Sequence, residues 1–106
     1  RLDSASVKLS ESQKKYLRGL GHQLKPVITV GDAGLSEPVL QEFETTISHH
    51  ELIKVRVKAP DRKSRDSILE DLCRHGAAEL IQRVGNVALI YRRRPDEPRL
   101  RLPGYS

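Results

Sequence analysis

The chain has 106 residues, of which 37% are hydrophobic and 31% charged. This composition indicates one charge-rich globular domain and excludes a chain that is disordered as a whole. Its formal net charge of +5 favours a polyanionic partner, because each phosphate neutralised by a lysine or arginine releases a counterion. A single cysteine excludes an internal disulfide, and no stretch approaches the roughly 18 consecutive apolar residues of a membrane span, so we expect a soluble cytoplasmic protein without a signal peptide.

Residues 1–8 show no periodicity and are expected to be a flexible arm or a cloning remnant outside the folded domain of residues 9–94. Ser10 and Gln13 have the spacing of a capping box, and leucines recur after them at helical intervals. A first helix is therefore predicted over residues 11–24, before the helix-breaking Pro26.

The β-branched run at residues 27–30 is predicted to form a short, largely buried strand. The loop Gly31-Asp32-Ala33-Gly34 follows it. Ser36 is predicted to be the N-cap of a second helix, with Pro38 in the first turn, where a missing N–H breaks no helical hydrogen bond. Apolar residues at helical spacing continue this helix to about residues 49–50.

Residues 52–58 alternate strictly between branched apolar residues on one side and Lys54, Arg56 and Lys58 on the other. This period of two predicts a second strand that is buried on one face. Asp61 is predicted to cap a third helix, which ends at Gly76 because glycine is typical of the position after a helix.

Residues 79–84 and 87–92 flank Gly85-Asn86, a two-residue turn that favours a β-hairpin. The proline-rich residues 95–106 are predicted to be an extended tail. Strands joined through helices are expected to lie parallel, and the hairpin is expected to add an antiparallel edge. The predicted fold is a single compact α/β domain, a helix followed by βαβαββ, with a four-stranded mixed sheet and three helices.

The loop Gly31-Asp32-Ala33-Gly34 is a candidate phosphate site. Its glycines let a nucleic-acid backbone approach the main chain, and the free N–H groups at the start of the following helix favour an anion. KH domains clamp backbone nucleotides with a G-x-x-G loop. Alone, however, this pattern is more often a plain turn, and the carboxylate of Asp32 repels phosphate.

Cationic residues also recur along the first helix. At about 100° per residue, Lys14, Arg18 and Lys25 fall within about 40° of one another, with His22 close by and the leucines on a different side. Two interpretations stay open, an RNA-binding stripe and an ordinary solvated helix face.

The second strand presents Lys54, Arg56 and Lys58 together, either for RNA contact or to protect a soluble sheet face or edge. Arg92 begins a further basic cluster that continues into the tail. The chain has only three tyrosines and one phenylalanine, too few for a platform that stacks single-stranded bases. Structured RNA, contacted through its backbone and shape, is therefore the expected target.

No catalytic or metal site is predicted. Cys73 falls on the apolar side of the third helix without an activating neighbour and is interpreted as core. His49 and His50 are adjacent, so they point to different sides of a helix and do not form a zinc pair. No cofactor and no small-molecule substrate are expected.

A longer ordered set of residues resembles the CRM domain, specifically its stand-alone bacterial form, the YhbY family. The resemblance rests on Leu9-Ser10, Lys14, Leu17-Arg18-Gly19-Leu20, His22, Leu24-Lys25-Pro26-Val27, Val30-Gly31, Gly34-Leu35, His49-His50-Glu51-Leu52-Ile53-Lys54-Val55, Gly85 and Ile90-Tyr91-Arg92. It covers about residues 9–103 and is far more specific than the glycine loop alone.

The resemblance implies a fold like the C-terminal domain of bacterial translation initiation factor three. It also implies RNA binding through the G-x-x-G loop and a nearby basic surface. The predicted RNA-binding residues are Lys14, Lys15, Arg18, His22, Lys25, Gly31, Asp32, Ala33, Gly34, Lys54, Arg56 and Arg92. Asp32 departs from the family pattern, where a neutral or basic residue is frequent, and this lowers the affinity expected of the loop.

The predicted function is that of a monomeric, non-catalytic protein that binds rRNA in pre-50S particles during ribosome assembly, as the resemblance implies. The alternative is a protein-interaction module that docks on a ribosomal protein or an assembly enzyme, with its basicity serving electrostatic steering. An enzyme acting on nucleotide phosphates is disfavoured, because the sequence lacks the P-loop lysine and paired carboxylates.

Overall fold

The structure, a computed structural model, describes residues 9–31 and 34–93. Seven elements follow one another in the predicted order. They are α1 (Glu11–Gly21), β1 (Pro26–Val30), α2 (Glu37–His50), β2 (Leu52–Val57), α3 (Arg62–Gly76), β3 (Glu79–Val84) and β4 (Val87–Tyr91). The predicted arm and tail lie outside the described residues, as do Asp32 and Ala33. No helix within the described ranges is long and apolar enough to cross a membrane.

The four strands form one mixed sheet in the order β1-β2-β4-β3. Strands β1 and β2 are parallel, as expected of strands joined through a helix, whereas β4 is antiparallel to both β2 and β3. The predicted α/β fold with three helices and a mixed sheet is confirmed. The hairpin does more than add an edge, because β4 lies inside the sheet and β3 takes the outer position.

Strand β1 is not largely buried, so this prediction is wrong. Its side chains alternate, with Ile28 and Val30 buried and Val27 and Thr29 exposed, Val27 to 52%. Strand β1 is an edge strand, and only its α2 and α3 side contributes to a core. A β-branched run fits a half-buried strand as well as a buried one, so composition alone does not distinguish the two.

Each face of the sheet carries its own hydrophobic core. On the α2 and α3 side, the larger core consists of Ile28, Val30, Phe43, Ile47, Ile53, Val55, Val57, Leu69, Leu72, Ala88 and Ile90. On the α1 side, the smaller core consists of Leu9, Leu17, Leu52, Ile81, Leu89 and Tyr91. Because α1 has only 11 residues, it covers one end of its sheet face and leaves Arg56 at the other end exposed.

Helix α1 begins as predicted but ends earlier. The N–H of Gln13 donates to Ser10 Oγ (3.2 Å), and the N–H of Ser10 donates to Gln13 Oε1 (2.8 Å), so the capping box is formed. The helix ends at Gly21, and the N–H groups of residues 22–24 donate three residues back in tighter turns. A Cβ at position 21 would lie 2.6 Å from Leu89 Cδ2, so the glycine lets α1 approach β4 closely.

Gly76 serves packing rather than a special backbone conformation. It is the last residue of α3, and the left-handed conformation expected after the helix is taken by Ala77, with φ 51°. A Cβ at position 76 would clash with Cε2 of Phe43 in the larger core. The helix ends at Gly76 as predicted, but Gly76 is its last residue rather than the residue after it, and its role is the close approach of α2 and α3.

We expect Gly76→Ala to lower the free energy of unfolding by about 1–3 kcal/mol, because overpacking a closed core costs this much and outweighs the gain in helix propensity. Gly19→Ala in α1 is the matched control, since its Cβ would meet no described atom within 4 Å, and it should stabilise the protein by up to about 1 kcal/mol. Urea denaturation followed by circular dichroism measures both changes. Equal effects of the two substitutions would contradict the packing role of Gly76.

Candidate nucleic-acid interface

A groove opens on the part of the sheet that α1 leaves uncovered. Its volume is about 400 Å³, and we call it the sheet groove. It is lined by Arg18, Gly21, His22, Pro26, Lys54, Arg56, Gln82, Val84, Val87 and Leu89.

Two separate sequence patterns meet in the sheet groove. Lys54 and Arg56 reach it because β2 sends every second side chain to this face of the sheet. Arg18 and His22 reach it because they lie four residues apart, on one side of α1 and its C-cap. Arg18 and His22 from the first helix and Lys54 and Arg56 from the second strand are therefore parts of one surface.

The floor of the sheet groove is aliphatic. Leu89 is buried and belongs to the smaller core, while Val84 is 67% exposed. The amide of Gln82 adds a polar group. Since no Phe, Tyr or Trp is among the lining residues, the aliphatic floor suits contact with sugars and base edges rather than the stacking of bases.

The cations of the sheet groove are not neutralised by neighbouring acids. No acidic residue lines the groove, and none of Arg18, Lys54 and Arg56 forms an ion pair within residues 9–31 and 34–93. The positive charge of the groove is therefore available to a ligand. Other arginines are paired within the fold, namely Arg62 and Arg83 with Asp66, Arg74 with Glu70 and Asp71, and Arg92 with Glu44.

Sequence reasoning missed the half of the groove that β3 and β4 provide. Strand β4 pairs with β2 so that Leu89 lies opposite Lys54 and Val87 lies opposite Arg56. Alternation along the hairpin indicates which of its residues share a face. The insertion of β4 beside β2, which brings those residues to the cations, has no local sequence signal.

Three other predicted cations on or near α1 lie outside the groove lining. Lys14 is half-buried one helical turn before Arg18, whereas Lys15 and Lys25 are exposed. Because α1 ends at Gly21, Lys25 does not belong to a helical stripe, and that part of the prediction is wrong. Lys14 is the nearest of the three to a lining residue along the helix face.

The predicted phosphate loop lies at the carboxyl end of β1, outside the sheet groove. Gly34 has φ +77°, which explains the glycine there. Its N–H donates to the carbonyl oxygen of Gly31 (3.0 Å), and the N–H of Ser36 donates to the carbonyl oxygen of Gly34 (3.1 Å). These two N–H groups are used locally. The free donors predicted from the sequence are those of the first turn of α2, which begins at Glu37 without a side-chain hydrogen bond from its N-cap Ser36. The predicted contacts of Asp32 and Ala33 lie outside the described residues.

Arg92 is engaged within the fold. Its guanidinium makes two parallel hydrogen bonds to Glu44, from Nη1 to Oε1 (2.8 Å) and from Nη2 to Oε2 (2.7 Å). Nη1 also donates to the carbonyl oxygen of Gly76 (3.0 Å), and Nη2 donates to Ser48 Oγ (2.5 Å). Arg92 thus joins the end of β4 to α2 and to the end of α3, and we assign it to the fold rather than to the interface.

The hydrogen bonds from Arg92 hold the pKa of Glu44 below its usual range. The Glu44 carboxylate therefore contributes stability that is present above the ordinary glutamate pKa of about 4.3 and is lost as the pH falls through the lowered pKa of the folded state. We expect Glu44→Gln to lower the free energy of unfolding by about 1 kcal/mol at pH 7, since the carboxylate is partly exposed. The difference should shrink as the pH falls below about 4.

Urea denaturation of the two proteins between neutral and acidic pH measures this effect. Glu70→Gln is the control, because its pair with Arg74 lies on the surface of one helix, and its effect should stay below about 0.5 kcal/mol. A Glu44→Gln difference that is independent of pH would contradict the role of the ionised carboxylate.

Cys73 packs against the larger core, which confirms its interpretation as a core residue. Burial raises the pKa of its thiol to about 11, so the thiol is protonated and weakly nucleophilic at neutral pH. Among the residues that the structure describes, no group of three His, Cys, Asp or Glu side chains could hold a metal ion.

The fold and the groove define a small α/β domain with an uncompensated cationic surface on its sheet. The CRS1 / YhbY (CRM) domain matches residues 9–92, and the chain belongs to this family, which confirms the resemblance. A protein of Pseudomonas aeruginosa named "Probable RNA-binding protein" is 42% identical over 87 residues, which cover 82% of this chain and 84% of the relative. A Haemophilus influenzae protein named "RNA-binding protein" is 41% identical over 95 residues, which cover 90% of this chain and 95% of the relative.

The fold is also found in a solved structure. The solution structure of a hypothetical protein from Staphylococcus aureus superposes with a TM-score of 0.78 and 31% sequence identity. The similarity covers 91% of this chain and 100% of that chain. The whole arrangement of helices and sheet is therefore common to the two proteins.

Proposed function

We propose that this protein binds RNA and that the sheet groove is the main contact surface. The observation that carries the proposal is the convergence of Arg18, Lys54 and Arg56 on one groove whose lining, among the residues that the structure describes, contains no acid. The names of the relatives from Pseudomonas aeruginosa and Haemophilus influenzae support RNA as the polyanion.

The groove favours recognition of the RNA backbone over recognition of single bases. The guanidinium groups of Arg18 and Arg56 each offer a planar set of donors to phosphate oxygens, and Lys54 supplies a compact positive charge between them. The aliphatic floor at Val84, Val87 and Leu89 lacks the exposed aromatic rings on which single-stranded proteins stack bases. Structured RNA, which presents its phosphates at fixed spacing, is therefore the proposed ligand class.

The remaining predicted residues have a peripheral role in this proposal. Lys14, Lys15 and Lys25 add positive charge around α1 and its C-terminal turn, and this charge steers RNA towards the groove. The glycines of the loop at residues 31–34 permit a close approach of the RNA backbone at the end of β1.

At a finer level, we propose rRNA within precursors of the large ribosomal subunit as the target, and a non-catalytic, monomeric protein that acts in the cytoplasm. The family resemblance supports the choice of rRNA. The protonated, buried thiol of Cys73 and the absence of metal-binding groups among the described residues are compatible with a binding role.

Arg56→Gln and Arg74→Gln test the proposal as a matched pair, because both remove one exposed arginine and change the net charge equally. Arg56 lines the sheet groove, whereas Arg74 lies on α3 and pairs with acids. We expect Arg56→Gln to weaken binding to rRNA fragments about tenfold, equivalent to roughly 1.4 kcal/mol. It should also reduce the slope of log K against log salt concentration by roughly 0.7–0.9, the value for one lost phosphate contact.

Arg74→Gln should leave both the affinity and the slope close to those of the unchanged protein. If fluorescence anisotropy across a salt series gives the same result for both variants, the sheet groove is not the RNA-binding surface.

Sedimentation with large-subunit precursors, before and after complete ribonuclease digestion, tests the finer proposal. Association that survives digestion would favour the protein-interaction alternative.

A further inference from the structure

A second cavity lies at the carboxyl ends of the parallel strands β1 and β2. Its volume is about 790 Å³, and we call it the end cavity. The end of β1, the β2–α3 connection, the first turns of α3 and the β3–β4 turn surround it. The lining residues are Gly31, Val57, Lys58, Ala59, Pro60, Ser64, Arg65, Ile68 and Asn86.

The end cavity is cationic and has polar side chains suited to an anion. Lys58 and Arg65 line it together with the hydroxyl of Ser64 and the amide of Asn86, and no acidic residue is among the lining residues within residues 9–31 and 34–93. Within residues 9–31 and 34–93, neither Lys58 nor Arg65 forms an ion pair. Lys58 thus has no ion-pair partner in the described part of the fold, whereas the Asp61 carboxylate at the start of α3 attracts Arg65 without forming an ion pair with it.

Arg65 carries the strongest indication of a missing partner. The residue is half-buried, and its Nε is fully buried without a hydrogen-bond acceptor in the described part of the chain. A guanidinium held in this way costs free energy unless an anion approaches its remaining donors. Asp61 leaves this Nε–H unpaired, because its carboxylate accepts the N–H of Ser64 at 2.7 Å and makes no hydrogen bond to Arg65 in the described part of the chain.

The end cavity adjoins the sheet groove. Arg56 and Val87 line the groove, whereas their chain neighbours Val57 and Asn86 line the end cavity. The N–H of Val57 donates to the carbonyl oxygen of Asn86 at 2.7 Å, so β2 and the hairpin turn are joined at the boundary between the two sites. Arg56 and Lys58 are two residues apart, about 7 Å along an extended chain, a spacing that phosphates of one strand can follow.

We propose that the end cavity binds a phosphate group of the same RNA strand that occupies the sheet groove, with Lys58 and Arg65 as the phosphate-binding residues. The strand leaves the groove at Arg56, passes the end of β2 and places a phosphate between Lys58 and Arg65. This inference rests on the proposed RNA-binding function and extends it to a surface outside the groove, formed in part by Arg65, which is not among the residues predicted from the sequence.

Lys58→Gln is the appropriate variant, because Lys58 is exposed and its removal leaves the core intact. Binding is measured with a series of stem-loop RNAs of one sequence, shortened stepwise from a length that spans both sites. Lys58→Gln should weaken binding of the longest RNA roughly fivefold and reduce its salt slope by roughly 0.7–0.9. It should leave the shortest RNA that still binds unaffected, whereas Arg56→Gln should weaken binding of every RNA in the series.

Lys63→Gln is the matched control, since Lys63 is exposed on α3 and lines neither site. If Lys58→Gln behaves like Lys63→Gln at every RNA length, the end cavity does not bind the RNA strand. That result leaves the groove proposal intact as long as Arg56→Gln still weakens binding, so the two failures are distinguishable.

Inorganic phosphate serves as a probe for the alternative source of the ligand. Titration followed by amide chemical shifts of Lys58, Arg65 and Asn86 should show weak, millimolar binding that the longest RNA displaces and the shortest does not. Saturation at micromolar phosphate without displacement by the longest RNA would overturn the proposal, because the cavity would then be a site for a free phosphate compound.

Discussion

On one face of strand β2 the side chains change from apolar to cationic along the strand, and the architecture of the protein depends on this change. Its other face is apolar throughout, with Ile53, Val55 and Val57 in the larger core. On the α1 side, Leu52 is buried, whereas Lys54 is half-buried and Arg56 exposed. Helix α1 covers only the apolar end of this face, because burying unpaired cations under a helix would cost more than the added apolar contact returns. The exposed end of this face therefore forms part of the sheet groove.

The distribution of ion pairs separates the cations of the protein into two groups. Arg62, Arg74, Arg83 and Arg92 lie beside carboxylates, and Arg92 in particular links the end of β4 with α2 and α3. The cations of the sheet groove and of the end cavity have no such partners in the described part of the chain. A net charge of +5 therefore understates the local potential of the sheet groove, since the ion pairs of the described residues involve other arginines. Local arrangement, rather than total charge, gives the protein a directional affinity for polyanions.

Local sequence signals predicted most of the fold. The capping box at Ser10, the alternation of β2 and the turn at Gly85-Asn86 all act between near neighbours, and each appears in the structure. Features that depend on distant contacts were not predictable: the exposure of β1, the packing role of Gly76 against Phe43, and the insertion of β4 beside β2. The candidate site shows the same division. Alternation indicated Lys54 and Arg56, but Arg92 was assigned to RNA because nothing near it in the sequence reveals Glu44, and Arg65 was missed because its burial depends on the tertiary fold.

Leu89 belongs both to the core under α1 and to the floor of the sheet groove, and Gly21 rests directly against it. We expect a ligand on this floor and the docking of α1 to be energetically linked, because both involve contact with the Leu89 side chain. A ligand bound in the groove should thus hold α1 more rigidly against the sheet, and loosening of α1 should weaken ligand binding in the groove. The shape of the floor is constrained by folding, whereas the exposed Arg56 at the rim is free of this packing constraint.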